Sequence, residues 1–127
     1  MHRPVHFEIH ASDVERARNF YSTLFGWKIE QWEDQPYWLI DTGEEGPGIN
    51  GGLTVREGPQ PDREAAKTAF VVTMDVADID RKTRDAEAAG ATVVEPKMPI
   101  PGMGWVVYLL DTENNTFGLF QSDENAG

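Results

Sequence analysis

Apolar and polar residues alternate across Pro4-Val5-His6-Phe7-Glu8-Ile9-His10. This predicts a strand with His6, Glu8 and His10 on one face and Val5, Phe7 and Ile9 on the other. The period then lengthens. Val14, Ala17, Tyr21 and Leu24 fall at helical spacing, Ser12 stands as the cap with Glu15 three residues on, and Gly26 ends the helix. Residues 27–32, 36–42 and about 50–56 predict three more strands, with turns at Asp34-Gln35-Pro36 and at the glycine-rich stretch 43–48. Residues 57–68 are polar, with two prolines and no apolar period, and predict a linker with a short helical turn at 63–67. The order then starts again: a strand at 70–76, a helix at 78–89 ended by Gly90, and strands at 91–95, 104–110 and 116–121. The stretch 96–103, with three prolines and two methionines, is expected to be a long loop.

Local sequence repeats in the same order. Asp13-Val14-Glu15-Arg16 returns as Asp78-Ile79-Asp80-Arg81, 65 positions later. Leu39-Ile40-Asp41-Thr42 returns as Leu109-Leu110-Asp111-Thr112, offset 70, and Gly52-Leu53-Thr54 as Gly118-Leu119-Phe120, offset 66. A repeat of this length indicates one structural unit built twice. The expected fold class is α+β: two βαβββ repeats forming a curled mixed sheet around a shared cleft, with helices on the outer face. One domain is expected over residues 1–127, with a first module at about 4–56, a linker at about 57–68 and a second module at about 69–122. The cleft is the natural place for a small ligand.

Composition narrows the partners. The chain has 127 residues, 39% of them hydrophobic, with a net charge of −11. The size suits one compact domain. The acidity disfavours nucleic acid and anionic membrane surfaces, both polyanions. No apolar run approaches the roughly 18 residues of a membrane span, and the N-terminus lacks the apolar core of a secretory signal, so a cytoplasmic protein is expected. Cysteine is absent, which removes disulfides and thiolate chemistry. No glycine-rich phosphate loop or serine nucleophile elbow is present.

The repeat resembles the vicinal oxygen chelate superfamily, which includes glyoxalase I, bleomycin-resistance proteins and extradiol dioxygenases. The first half carries the likeness in Val5-His6-Phe7-Glu8-Ile9, Asp13-Val14-Glu15-Arg16-Ala17, Phe20-Tyr21 and Phe25-Gly26-Trp27. The second carries it in Val76-Ala77-Asp78-Ile79, Ala89-Gly90-Ala91, Gly104 and Leu110-Asp111-Thr112-Glu113-Asn114. The resemblance implies a homodimer and a divalent metal held at four inward positions, two on the first strands and two carboxylates on the last strands of the halves. In glyoxalase-like relatives that metal stabilises an enediolate while a carboxylate moves the proton.

Carried over one at a time, the four positions fall on His6, Val71, Gly52 and Gly118. Only His6 can ligate a metal, so no metal and no cofactor are expected. His6, Glu8 and His10 do not supply a replacement chelate, because residues four apart on a strand are roughly 13 Å apart. Glycines inside strands mark places where a backbone is closely approached, and a wider cavity is expected at positions 52 and 118.

By parity, Asn50, Gly52, Thr54, Thr73, Gly118 and Phe120 are expected to line the ligand site with His6 and Glu8. Trp38 and Trp105 could stack on a planar ligand or simply pack. Two roles for Glu8 stay open: a partly desolvated carboxylate with a raised pKa, oriented by His6 to accept a proton, or a structural hydrogen-bond pair with His6. The expected function is a glyoxalase-like small-molecule binding protein without the usual metal centre. The alternative is an enzyme (lyase, isomerase or dioxygenase) using an atypical site around His6 and Glu8.

Overall fold

A computed structural model describes residues 3–63 and 70–127. The chain divides into two compact units between Pro61 and Asp62. Each unit holds one helix and one four-stranded sheet.

The first unit consists of β1 (Phe7–Ala11), α1 (Val14–Phe25), β2 (Lys28–Gln31), β3 (Tyr37–Asp41) and β4 (Gly51–Val55), with strand order β1-β4-β3-β2. β1 lies parallel to β4; the other pairs are antiparallel. The second unit repeats the plan with β5 (Val72–Asp75), α2 (Ile79–Ala88), β6 (Thr92–Ile100), β7 (Gly104–Leu110) and β8 (Thr116–Ser122), ordered β5-β8-β7-β6, with β5 parallel to β8. These are the two βαβββ modules that the sequence predicts.

Register assigns the faces. In the first sheet Glu8, Gly52, Leu39 and Glu30 form one row, and His10, Thr54 and Tyr37 the next. The opposite face carries Ile9, Leu53, Ile40 and Ile29, all buried, as are Ala17, Phe20, Tyr21 and Leu24 of α1. Full burial of such aliphatic side chains stabilises by about 1.5–3 kcal/mol each. Trp27 joins this core, stacked on Tyr21 with ring centroids 5.2 Å apart.

The helix starts repeat at the atomic level. Asp13 accepts a hydrogen bond from the Arg16 backbone N–H at 3.0 Å, and Asp78 accepts one from the Arg81 N–H at 3.1 Å. The first cap is thus Asp13, one residue later than the expected Ser12. Gly26 ends α1 at φ 72°, the left-handed conformation that glycine adopts without strain.

Two further expectations are corrected. Most of the expected loop 96–103 is strand: β6 continues to Ile100. It tolerates its prolines because it is an edge strand, and its pairing with β7 is irregular between Val93 and Met98. Secondly, the third strands do not align at offset 70. Ile40 faces Gly51 and Leu109 faces Phe117, so the structural offset there is 69. Leu39 is 48% exposed while Leu109 is fully buried, because a slip of one residue reverses the face. Of the expected helical turn at 63–67, all but Arg63 lies outside the described residues. No described helix is long and apolar enough to cross a membrane.

Candidate functional site

The polar face of the first sheet brings four titratable side chains into one hydrogen-bonded string. His6 Nε2 lies 2.7 Å from the Tyr37 hydroxyl, and that hydroxyl donates to Glu8 Oε2 at 3.1 Å. His10 Nε2 lies 2.8 Å from Glu8 Oε1. The donor directions follow from chemistry. An ionised Glu8 has no proton to give, so Tyr37 and His10 both donate to it. Tyr37 has then spent its single proton, and its oxygen accepts from His6 Nε2–H. The rings of His6 and Tyr37 are nearly parallel, 16° apart in plane.

This arrangement decides the state of Glu8. Its pKa is lowered, first by the hydrogen bond from His10, against desolvation as the second-largest influence, with a smaller lowering by the bond from Tyr37 and by the charge of the two histidines. Of the two roles left open for Glu8, the carboxylate with a raised pKa does not match this direction: the hydrogen bonds, with the nearby histidines, outweigh burial. Tyr37 shifts the other way, upward, through burial and through its bond to the Glu8 carboxylate. The other open role, a direct hydrogen-bonded pair of His6 with Glu8, takes a bridged form, since the phenol stands between them.

Gly52 makes this possible. Tyr37 belongs to the row of Thr54 and His10, but its ring leans along the strand over Gly52. A Cβ on Gly52 would fall 2.5 Å from Tyr37 Cε1 and closer still to Cζ and the hydroxyl. The expectation of extra room at position 52 is thus corrected: a phenol fills it. At Gly118 a Cβ would come 2.7 Å from Thr73 Oγ1 and 3.3 Å from Tyr108 Cε1, so that place is also taken.

Other expected site residues separate. Thr54 stays on the face with Glu8, its hydroxyl donating to the Pro36 carbonyl at 3.0 Å. Asn50 precedes β4 and closes the β3–β4 loop, accepting from the Thr42 N–H at 2.9 Å and the Thr42 hydroxyl at 3.2 Å. Trp38 pairs with Leu53 on the opposite, helix-packed face, so it does not join His6 and Glu8. In the second sheet Thr73, Gly118 and Phe120 share a face with Tyr108. Trp105 pairs with Gln121 on the other face. Its indole N–H donates to Asp123 at 3.0 Å, and Lys97 Nζ sits 4.7 Å from its ring centroid.

Sequence reasoning missed Tyr37 and gave His10 no role. The available signal was parity: Trp38 and Ile40 share the core side, which leaves Tyr37 and Leu39 with the polar residues of β1.

Comparisons with known proteins agree with the fold. Residues 3–43 match the family model described as bleomycin resistance protein-like N-terminal. A glyoxalase/bleomycin resistance/dioxygenase family enzyme from Burkholderia phytofirmans PsJN is similar at 21% identity and TM-score 0.73, over 93% of this chain and 97% of that one. TioX from Micromonospora sp. ML1 is similar at 21% identity and TM-score 0.68, over 95% of this chain and 99% of that one. A mutant of the fosfomycin resistance protein FosX from Listeria monocytogenes, in complex with Mn(II) and 1S,2S-dihydroxypropylphosphonic acid, is similar at 16% identity and TM-score 0.71, over 94% of this chain and 90% of that one. No curated protein matches the sequence significantly. The chain has the fold of the vicinal oxygen chelate superfamily, and its resemblance to the glyoxalase and bleomycin-resistance proteins is borne out at that level.

The divalent metal of that resemblance does not fit the residues present. Of the four positions, His6 alone bears a ligand, and its Nε2 is committed to Tyr37. Positions 52 and 118 have no side chain and no room for one. Among the described residues no three His, Asp or Glu side chains are grouped so that they could hold a metal ion.

Proposed function

We propose that this protein binds a small organic molecule on the polar face of its first sheet, without the usual divalent-metal centre of the superfamily. The observation that carries the reading is the Tyr37 hydroxyl joining His6 to Glu8 over Gly52. It produces a preorganised set of donors and acceptors beside exposed Leu39 on the same face, a mixture of polar anchors and apolar surface that suits organic ligands. By resemblance, we propose that the protein is a homodimer.

A thermal-shift screen against a small-molecule library tests the reading. A ligand at 100 times its dissociation constant stabilises by about 2.7 kcal/mol, and NMR shifts of a hit should centre on β1 and β3. Stabilisation by no chemotype, or hits confined to the second unit, would refute it.

The contiguity of the His6–Tyr37–Glu8 string favours one second reading, an enzyme moving a proton along it. Turnover with a bound hit, abolished in Glu8→Gln with binding retained, would select that alternative.

A further inference from the structure

The binding reading leaves open why a scaffold of this type carries glycine where its relatives are expected to carry a metal-ligating carboxylate, and what took over that place. The following inference rests on that reading for its functional meaning. Its geometry stands by itself.

On the polar face of the first sheet, position 52 lies between Glu8 of β1 and Leu39 of β3. A carboxylate side chain there would need the volume directly above the Gly52 Cα. That volume holds the Tyr37 ring and hydroxyl. The occupation is not a passive collapse, because the hydroxyl is bonded to both first-strand groups of the site: it meets His6 Nε2 at 2.7 Å and Glu8 Oε2 at 3.1 Å. The second sheet shows the same substitution in weaker form. Above Gly118 stand the Thr73 hydroxyl and the ring of Tyr108, the residue paired with Gly118 across the strands. In both modules neighbouring side chains thus fill the place beside the glycine, Tyr37 at position 52 and Thr73 with the directly paired Tyr108 at position 118.

We propose that Tyr37 is the resident replacement for the carboxylate at position 52: its phenol occupies the ligand side chain's place and engages His6, so the face recognises an organic molecule by hydrogen bonds instead of through a chelated cation. Tyr37 acts here as a positioning residue. It fixes which His6 nitrogen carries the proton and holds Glu8 as an acceptor with lone pairs still open to a ligand's N–H or O–H groups. The other charged residues on this face are Glu30, Asp41 and Lys28, with Arg56 just beyond the end of β4, where its guanidinium donates to the His10 carbonyl at 3.0 Å.

The test combines variants of the full chain with NMR of the His6 ring and Glu8 carboxyl, and with Ni²⁺ and Mn²⁺ titrations of protein purified without chelator. Gly52→Ala should move the His6 and Glu8 signals to the positions they take in Tyr37→Ala, and adding Gly52→Ala to Tyr37→Ala should change them no further. Tyr37→Phe keeps the ring and loses the bridge, so it should alter the Glu8 titration while leaving Gly52→Ala as disruptive as in wild type. Neither metal should bind wild type with one ion per chain at His6. Unchanged His6 and Glu8 signals in Gly52→Ala would overturn the proposal, as would stoichiometric metal uptake that broadens or shifts the His6 ring. A failed ligand screen with these results intact would defeat the binding reading and leave the replacement standing.

Discussion

The Tyr37 ring lies where any side chain on Gly52 would have to stand, although the two residues are not paired across their strands. Gly52 faces Leu39, and Tyr37 reaches it diagonally from the next row. One glycine therefore decides whether three polar residues on two strands are joined, because only a bare backbone leaves the phenol a path to His6 and Glu8.

That relationship predicts an asymmetry between glycines. Gly52→Ala should destabilise by roughly 1–3 kcal/mol, the usual cost of forcing a group into filled space. Gly48→Ala, with nothing within 4 Å of the added Cβ, should change stability little or raise it by up to about 1 kcal/mol. Urea unfolding of the two variants checks this; equal effects would contradict the packing described.

The lowered pKa of Glu8 has a defined sign in stability. Its folded value lies below its unfolded value, so the folded state holds that proton less readily. The contribution is complete above the unfolded pKa of about 4.3 and fades as pH falls through the folded value. His10→Ala should raise the Glu8 midpoint more than Tyr37→Phe does, since the His10 bond is the larger cause. A carboxyl-detected NMR titration reads both, and an unmoved midpoint in His10→Ala would rule out the assignment. Tyr37 behaves oppositely: its raised pKa favours the neutral phenol, and its contribution is lost as pH rises through its folded value.

The duplicated caps should be equivalent in energy. Asp13→Ala and Asp78→Ala each remove an acceptor from a first-turn N–H, and each should cost about 1 kcal/mol. Ser12→Ala, one residue before the true cap, should cost much less. Thermal melts of the three variants decide the matter, and a larger loss for Ser12→Ala would move the cap back.

The β7–β8 turn depends on Asp111, which is 3% exposed and accepts from the backbone N–H groups of Glu113 at 2.7 Å and Asn115 at 2.9 Å. Asp111→Ala should cost about 1–3 kcal/mol, because the donors left behind are shielded from water. Asn114 sits at φ 61°, so Asn114→Gly should be neutral and Asn114→Val destabilising. Denaturation midpoints test the pair; a tolerated valine would exclude the left-handed conformation.

Much of the fold was legible because its signals are local. The alternation from Val5 to Ile9, the helical spacing of Ala17, Tyr21 and Leu24, and the stop at Gly26 each reflect the geometry of a single element. Proline content misled at β6, since an edge strand tolerates what a central one does not. Matching look-alike letters misled at Leu39 and Leu109, which differ in face although each stands two residues before an Asp-Thr pair.

The sequence by itself determined a duplicated βαβββ plan, an acidic chain without cysteine, and the lack of side-chain ligands at positions 52, 71 and 118. Only the tertiary structure decided that Tyr37 fills the place above Gly52, that His10 as well as His6 belongs to the Glu8 string, and that Trp38 lies on the opposite face of that sheet. The reason is physical. A strand's own period assigns each residue to one of two faces, but which residues meet across strands depends on register, and register arises only when strands pair.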